Sequence, residues 1–158
     1  MSVAAAWVVR ALLALLILFT LFIEVYFVPQ LGLEIIKVSP EAAPLFAPAL
    51  IWAILVIGCG QAILLIVWRL VSLVAQERVF SASALSWVRA IIGISLSAVG
   101  LLVAAFVVLN IVAYTPPIAM YGLIGLVLFC VTFALIMRTM LGLLRRSTRL
   151  HDEMAEVI

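Results

Sequence analysis

Charge is what this sequence has least of. Only 10% of its 158 residues are charged, against about 25% in an ordinary soluble domain. Apolar residues fill the deficit at 69%, where about 45–50% is usual. That composition excludes an ordinary soluble domain and points to a membrane protein. Histidine occurs once and cysteine twice. Cys59 and Cys130 both fall inside apolar runs, whereas an extracellular disulfide framework would place them in loops. Both read as small buried apolar residues. The lone His151 lies in the charged stretch "RLHDEM", with no cysteine or serine partner at a comparable depth. No metal-ligand cluster, phosphate-binding glycine loop or paired carboxylate site is evident. The expectation is a protein that is not an enzyme and takes no cofactor or metal. A net charge of +2 is too small to imply direct nucleic acid binding. Short segments of alternating polarity are missing too, which excludes a transmembrane barrel. No internal repeat or low-complexity tract occurs.

What is present is four apolar runs, 5–28, 44–75, 88–114 and 118–144. Each reaches the roughly 20 residues that a spanning helix needs. In lipid, backbone groups must be satisfied within the segment, so these runs are helices. The expected fold is all-α: one integral membrane domain over 1–158, an antiparallel four-helix bundle, with a charged tail at 145–158. The apolar stretch 11–27 exceeds the usual 7–15 residues of a signal core, and no small-x-small cleavage site follows "YFVPQLG", so it reads as a retained first span.

Arginine placement sets the expected orientation. Arg78 and Arg89 flank the second connection, and Arg145, Arg146 and Arg149 follow the fourth span. Only Lys37 lies on the other side. The positive-inside rule then puts both termini in the cytoplasm. The mixed loop 29–43, "PQLGLEIIKVSPEAA", and the tight turn 115–117, "TPP", would face outward. Helix rise agrees with this arrangement. From Arg10 to Val28 is about 27 Å, from Pro48 to Arg69 about 32 Å, and from Ile118 to Arg138 about 30 Å. Arg10, Arg69, Arg89 and Arg138 thus form an expected basic ring at the inner interface. Their simplest role is to snorkel to lipid phosphate; a cytoplasmic anion site is the alternative.

The connection "QERVFSASALSWVR", 76–89, reads as a cytoplasmic elbow. Ser81 suits an N-cap. Phe80 and Leu85 match a hydrophobic staple, and Trp87 suits the interfacial belt. "SASALSWVR" would be a short interfacial helix leading into the third span. Within that span Ala90, Gly93, Ser97, Gly100 and Ala104 share one face. Such a stripe lets helices approach closely in lipid, and Gly58, Gly60, Gly122 and Gly125 read likewise.

Polar residues inside the spans are few. Gln61 lies about 12 Å from the level of the arginines. Ser97 and Cys130 share that depth, and Thr20 and Thr132 lie within about 6 Å of it. They read as interhelical hydrogen-bond formers, or alternatively as a ligand or ion site. Glu24, the one acid in an apolar run, lies about 21 Å above Arg10, near the outer boundary. It can serve as a proton or cation site, reach outer water, or pair with Lys37. Asn110 and Tyr114 are at a similar level. Glu24, Gln61, Ser97 and Asn110 make up the candidate membrane-embedded polar site.

The stretch "CGQAILLIVWRLVSLVAQERVFSASALSWVRAIIG" and the tail "MLGLLRRSTRLHDEMAEVI" resemble the bacterial family catalogued as domain of unknown function 2975. The matching features are Cys59, Gln61, Trp68, Arg69, Phe80, Ser81, Trp87, Val157 and Ile158, and the resemblance covers nearly the whole chain. It implies a small four-helix protein of the bacterial cell membrane whose members often sit beside a helix-turn-helix regulator gene. It supplies no catalytic residues. Two functions follow as expectations. One is an interaction or regulatory membrane component, engaging a cytoplasmic partner such as that regulator through the elbow and the tail. In that tail Leu143, Leu150, Met154 and Val157 can share a helix face. The other is a small-solute or ion transporter or binder using Glu24 and Gln61, working as an oligomer because four helices are few for one transporter subunit.

Overall fold

A computed structural model describes residues 3–75 and 82–155. The described residues are helical with no strand: α1 (Val3–Phe22), a π-helical turn (Ile23–Phe27), α2 (Val28–Val38), a 3-10 segment (Pro40–Leu45), α3 (Phe46–Ala75), α4 (Ala82–Ile111) and α5 (Pro117–Ala155). Four stretches are long and apolar enough to cross a membrane: Trp7–Val38, Pro40–Leu73, Leu85–Ile111 and Pro117–Leu143. The chain is built as a multi-pass membrane protein.

The first span departs most from expectation. The residues expected to form a loop after Val28 continue as helix to Val38. Pro29 is the reason for the distortion there and not for a stop. Proline has no N–H, and its ring clashes with the carbonyl four residues back, here that of Val25. The chain answers with a π turn, in which the Val28 N–H donates to the Ile23 carbonyl. Such local adjustment lets proline persist in a membrane helix, where a broken helix would strand backbone groups in lipid. The 32-residue stretch is about 48 Å long at helical rise. It therefore exceeds a hydrocarbon core of about 30 Å.

The helices pack in chain order. α1 lies on α3, α3 on α4, and α4 on α5, while among the described residues no Cα of α1 comes within 8 Å of α4 or α5, nor any of α3 of α5. This is a row of helices, not the closed ring of a compact bundle. The core follows one face of α4: Val88, Ile91, Ser95, Ala98 and Leu102 are buried, together with Ile66 of α3 and Ala134 and Leu141 of α5. Their spacing of three and four residues is that of a single helix face. Ser95 fits there because its hydroxyl donates to the Ile91 carbonyl at 2.8 Å.

The small-residue stripe is on another face. Gly93, Ser97, Gly100 and Ala104 are exposed and only Ala90 is half-buried. Gly93 lies two residues from Ile91, about 200° around the helix at 3.6 residues per turn, which turns it away from the packed face. A methyl group built at Gly58, Gly60, Gly93, Gly100, Gly122 or Gly125 would meet nothing within 4 Å. The close approach is instead at Gly32 of α2, where a methyl group would lie 2.8 Å from Cδ2 of the Phe46 ring. "SASALSWVR" is not a separate helix: from Ala82 it forms the first turns of α4.

The α4–α5 connection is a Schellman-type cap. Tyr114 N–H donates to the Leu109 carbonyl at 3.1 Å and Ala113 N–H to that of Asn110 at 3.2 Å. Ala113 sits at φ 57°, the left-handed position that glycine usually fills. Pro117 then opens α5, where its missing N–H costs nothing. Ala113→Gly relieves the left-handed strain, and glycine's greater freedom in the unfolded chain offsets part of the gain. A net stabilisation of about 0.5–1 kcal/mol is expected, read as a raised midpoint of thermal unfolding in detergent.

Candidate membrane-embedded polar site

Glu24 lies in the π turn and Gln61 in the middle of α3. The Gln61 amide Nε2 donates to Glu24 Oε2 at 2.7 Å, and both side chains are half-buried. The π turn has a local consequence for the acid. A π turn adds a residue to the helical ladder, so the side chains on its two sides change phase. Glu24 faces α3 from within this altered turn. Its depth also differs from the expected outer boundary. Within the stretch Trp7–Val38, Glu24 is 17 residues from one end (24 − 7) and 14 from the other (38 − 24). The extension of the first span past Pro29 therefore moves the acid to mid-span.

No basic group compensates it. The salt bridge among the described residues is Lys37 to Glu34, 2.6 Å apart and largely exposed. That removes Lys37 as the expected partner of Glu24. A second tie between α1 and α3 runs from Arg10 Nη2 to Ser72 Oγ at 3.3 Å, and Ser72 Oγ donates to the Trp68 carbonyl at 3.1 Å. Arg10 is half-buried, with its Nε enclosed and lacking an acceptor, so it is an interhelical group and not purely a lipid-facing one. Arg69, Arg89 and Arg138 are exposed. Among the described residues no hydrogen bond joins these arginines to one another.

The wider polar layer does not form. Ser97 is exposed and donates to the Gly93 carbonyl of its own helix at 3.1 Å. Asn110 donates to the Phe106 carbonyl at 2.8 Å and reaches Met120 Sδ at 3.8 Å. Thr20 donates to the Ile17 carbonyl at 2.9 Å. Each satisfies itself mainly on its own helix, the usual alternative for short polar side chains. Of the four expected site residues, only Glu24 and Gln61 meet. Cys59 and Cys130 are free thiols, both half-buried. Among the described residues no group of three or more histidine, cysteine, aspartate or glutamate side chains could hold a metal ion. Phe80 and Ser81 of the elbow lie outside the described residues. Trp87 is 37% exposed on the second turn of α4.

Residues 31–158 match the family described as protein of unknown function, DUF2975. The chain belongs to that family. No curated protein and no solved structure matches it. The DUF2975 match includes Gln61 and the outer three arginines of the expected ring but begins after α1. Glu24 and Arg10 therefore stand outside it, and so does half of each α1–α3 polar contact. The resemblance was expected over nearly the whole chain; the match is shorter by the first 30 residues.

The Glu24–Gln61 pair is open to a stability test. Interhelical hydrogen bonds in membranes average about 0.6 kcal/mol, and stranding a charged partner raises the cost to about 1–3 kcal/mol. Gln61→Leu is expected to lower unfolding stability in detergent by about 1 kcal/mol or more. Adding Glu24→Leu recovers part of that loss, because the stranded acid is gone.

Proposed function

We propose that this protein is a non-enzymatic component of the bacterial cell membrane that binds a proton or a small cation at the Glu24–Gln61 pair. The observation that carries this reading is the Gln61–Glu24 hydrogen bond at mid-span, with no basic side chain paired to the acid. An acid inside an apolar span is costly unless its charge is matched, and such residues mark ion and proton pathways. π turns inside helices gather at functional sites, which supports the same residue independently. Gln61 holds one carboxylate oxygen; the other oxygen and the Gln61 carbonyl are hard ligands suited to a proton or a cation. Transport by this pair requires an oligomer, since four spans enclose little.

The arrangement proposed is antiparallel with both termini in the cytoplasm. Residue numbers rise along α1 from Arg10 to Glu24 while their partners on α3 fall from Ser72 to Gln61. The excess of Arg78, Arg89, Arg145, Arg146 and Arg149 over Lys37 supports the orientation. In vesicles holding the full chain, a pH or cation gradient should dissipate faster than in empty vesicles. The Glu24→Gln, Gln61→Leu double variant should remove that excess flux; an unchanged rate in the variant discards the site.

A second reading has its own observation. α5 continues as one helix to Ala155, 12 residues beyond the apolar stretch that ends at Leu143 (155 − 143). That extension, about 18 Å at helical rise, suits engagement of a cytoplasmic partner of the regulator type that the family resemblance implies. Leu143 is exposed; the side chains of Leu150 and Met154, and Val157 entirely, lie outside the described residues. Affinity capture with the full chain should lose a partner when residues 145–158 are removed. Identical partner sets from the two chains count against an interaction through the tail.

A further inference from the structure

The row of helices leaves a space that the chain does not fill. α3 and α5 flank α4 without approaching each other, and over α4 between them lies a cavity of about 560 Å³. That is within the usual range of about 300–1,000 Å³ for small-molecule sites. Its walls are almost wholly apolar and include Leu31 of α2, Trp52 and Val56 of α3, Leu102 and Ala105 of α4, and Ala119 of α5. One polar atom stands out. The Trp52 indole Nε1 is buried and has no hydrogen-bond partner, although buried indole N–H groups usually find one.

We propose that this cavity binds one acyl chain of a membrane phospholipid, with Trp52 Nε1 donating to the ester carbonyl of that chain. Three observations select this occupant. The first is the lining, which takes a saturated chain and offers water almost no partner, so that water gains nothing by entering. The second is depth. Trp52 is 17 residues from Arg69 (69 − 52), about 26 Å by helical rise. If the arginine marks one interface, Trp52 approaches the opposite one, because the hydrocarbon core is about 30 Å thick. Tryptophan favours that headgroup level, and ester carbonyls lie at the same boundary. The third is the unpaired N–H itself. A helix from a second copy could fill the groove, but its backbone carbonyls are already engaged within the helix, and its apolar side chains have no acceptor. A lipid ester supplies both the chain and the acceptor.

The test uses the full chain in phosphatidylethanolamine vesicles doped with a phosphatidylethanolamine that carries a photoreactive diazirine on one acyl chain. After illumination, labelled peptides are mapped by mass spectrometry. Labelling should concentrate on the cavity wall, at residues such as Ala105 and Ala119, above the level on the outward-facing Leu128. Ala105→Phe, which fills the floor, should abolish that excess. Ala119→Leu, on the opposite wall, is a second blocking variant should the first not fold. Trp52→Phe keeps the ring and removes the donor; it should lower labelling by the ester lipid about fivefold, the scale of one hydrogen bond. Labelling by the ether-linked analogue, which has no carbonyl, should not change. Uniform labelling along all lipid-facing residues would overturn the proposal. So would cross-links between two copies across the groove, or equal loss of ester and ether labelling in Trp52→Phe.

Discussion

A polypeptide in hydrocarbon must satisfy its own backbone, because the solvent offers it nothing. The rest of this structure depends on that constraint. It makes all four spans helical, and it carries the first of them through Pro29, where the same proline in water would more readily end a helix. The widened turn at Ile23–Phe27 is the form this continuity takes. Since the helix does not stop at Val28, its midpoint moves outward along the sequence, and Glu24 is carried from an expected boundary position to the interior. The placement of the one acid in the span is thus a by-product of how the backbone accommodates a proline.

The polar side chains divide according to the same rule. Serine, threonine and asparagine are short enough to return to a carbonyl of their own helix, and Ser95, Ser97, Thr20 and Asn110 do so. Glutamate cannot be satisfied by a carbonyl while it is ionised, since it needs donors. Glutamine has an amide N–H₂ to give and enough length to cross to a neighbouring helix. The Glu24–Gln61 contact joins the two residue types that gain most from an interhelical partner.

Much of the architecture was legible in the composition. Apolar runs longer than a bilayer core leave little choice of secondary structure, and the ends of the third and fourth spans follow from where polar residues resume. The path after Val28 was not legible from local cues, because "PQLGLEIIKVSPEAA" carries the prolines and charges of a loop; continuity in lipid outweighed them. The packing face of α4 was also misread. Small residues announce close approach only where another helix is present, and periodicity cannot say which of two faces meets it. Ile91, Ser95, Ala98 and Leu102 meet the neighbours, and the glycine face does not. At the site, Glu24 and Gln61 were both evident as isolated polar groups. Their pairing depended on the π turn, for which the signal was Pro29 five residues on, a signal that also reads as a turn.

The order of packing has a consequence for how the protein comes apart. A closed bundle shares one core, so damage anywhere is felt by all four helices. Here each helix leans only on its sequence neighbour, as units do in a linear array whose stability is a sum of nearest-neighbour interfaces. The α1 end, held to α3 by two polar contacts and mostly bathed in lipid, is the terminal unit of that array. It can fray from α3 while α4 and α5 keep their interface intact, which gives the membrane domain a separable outer edge and a durable inner pair.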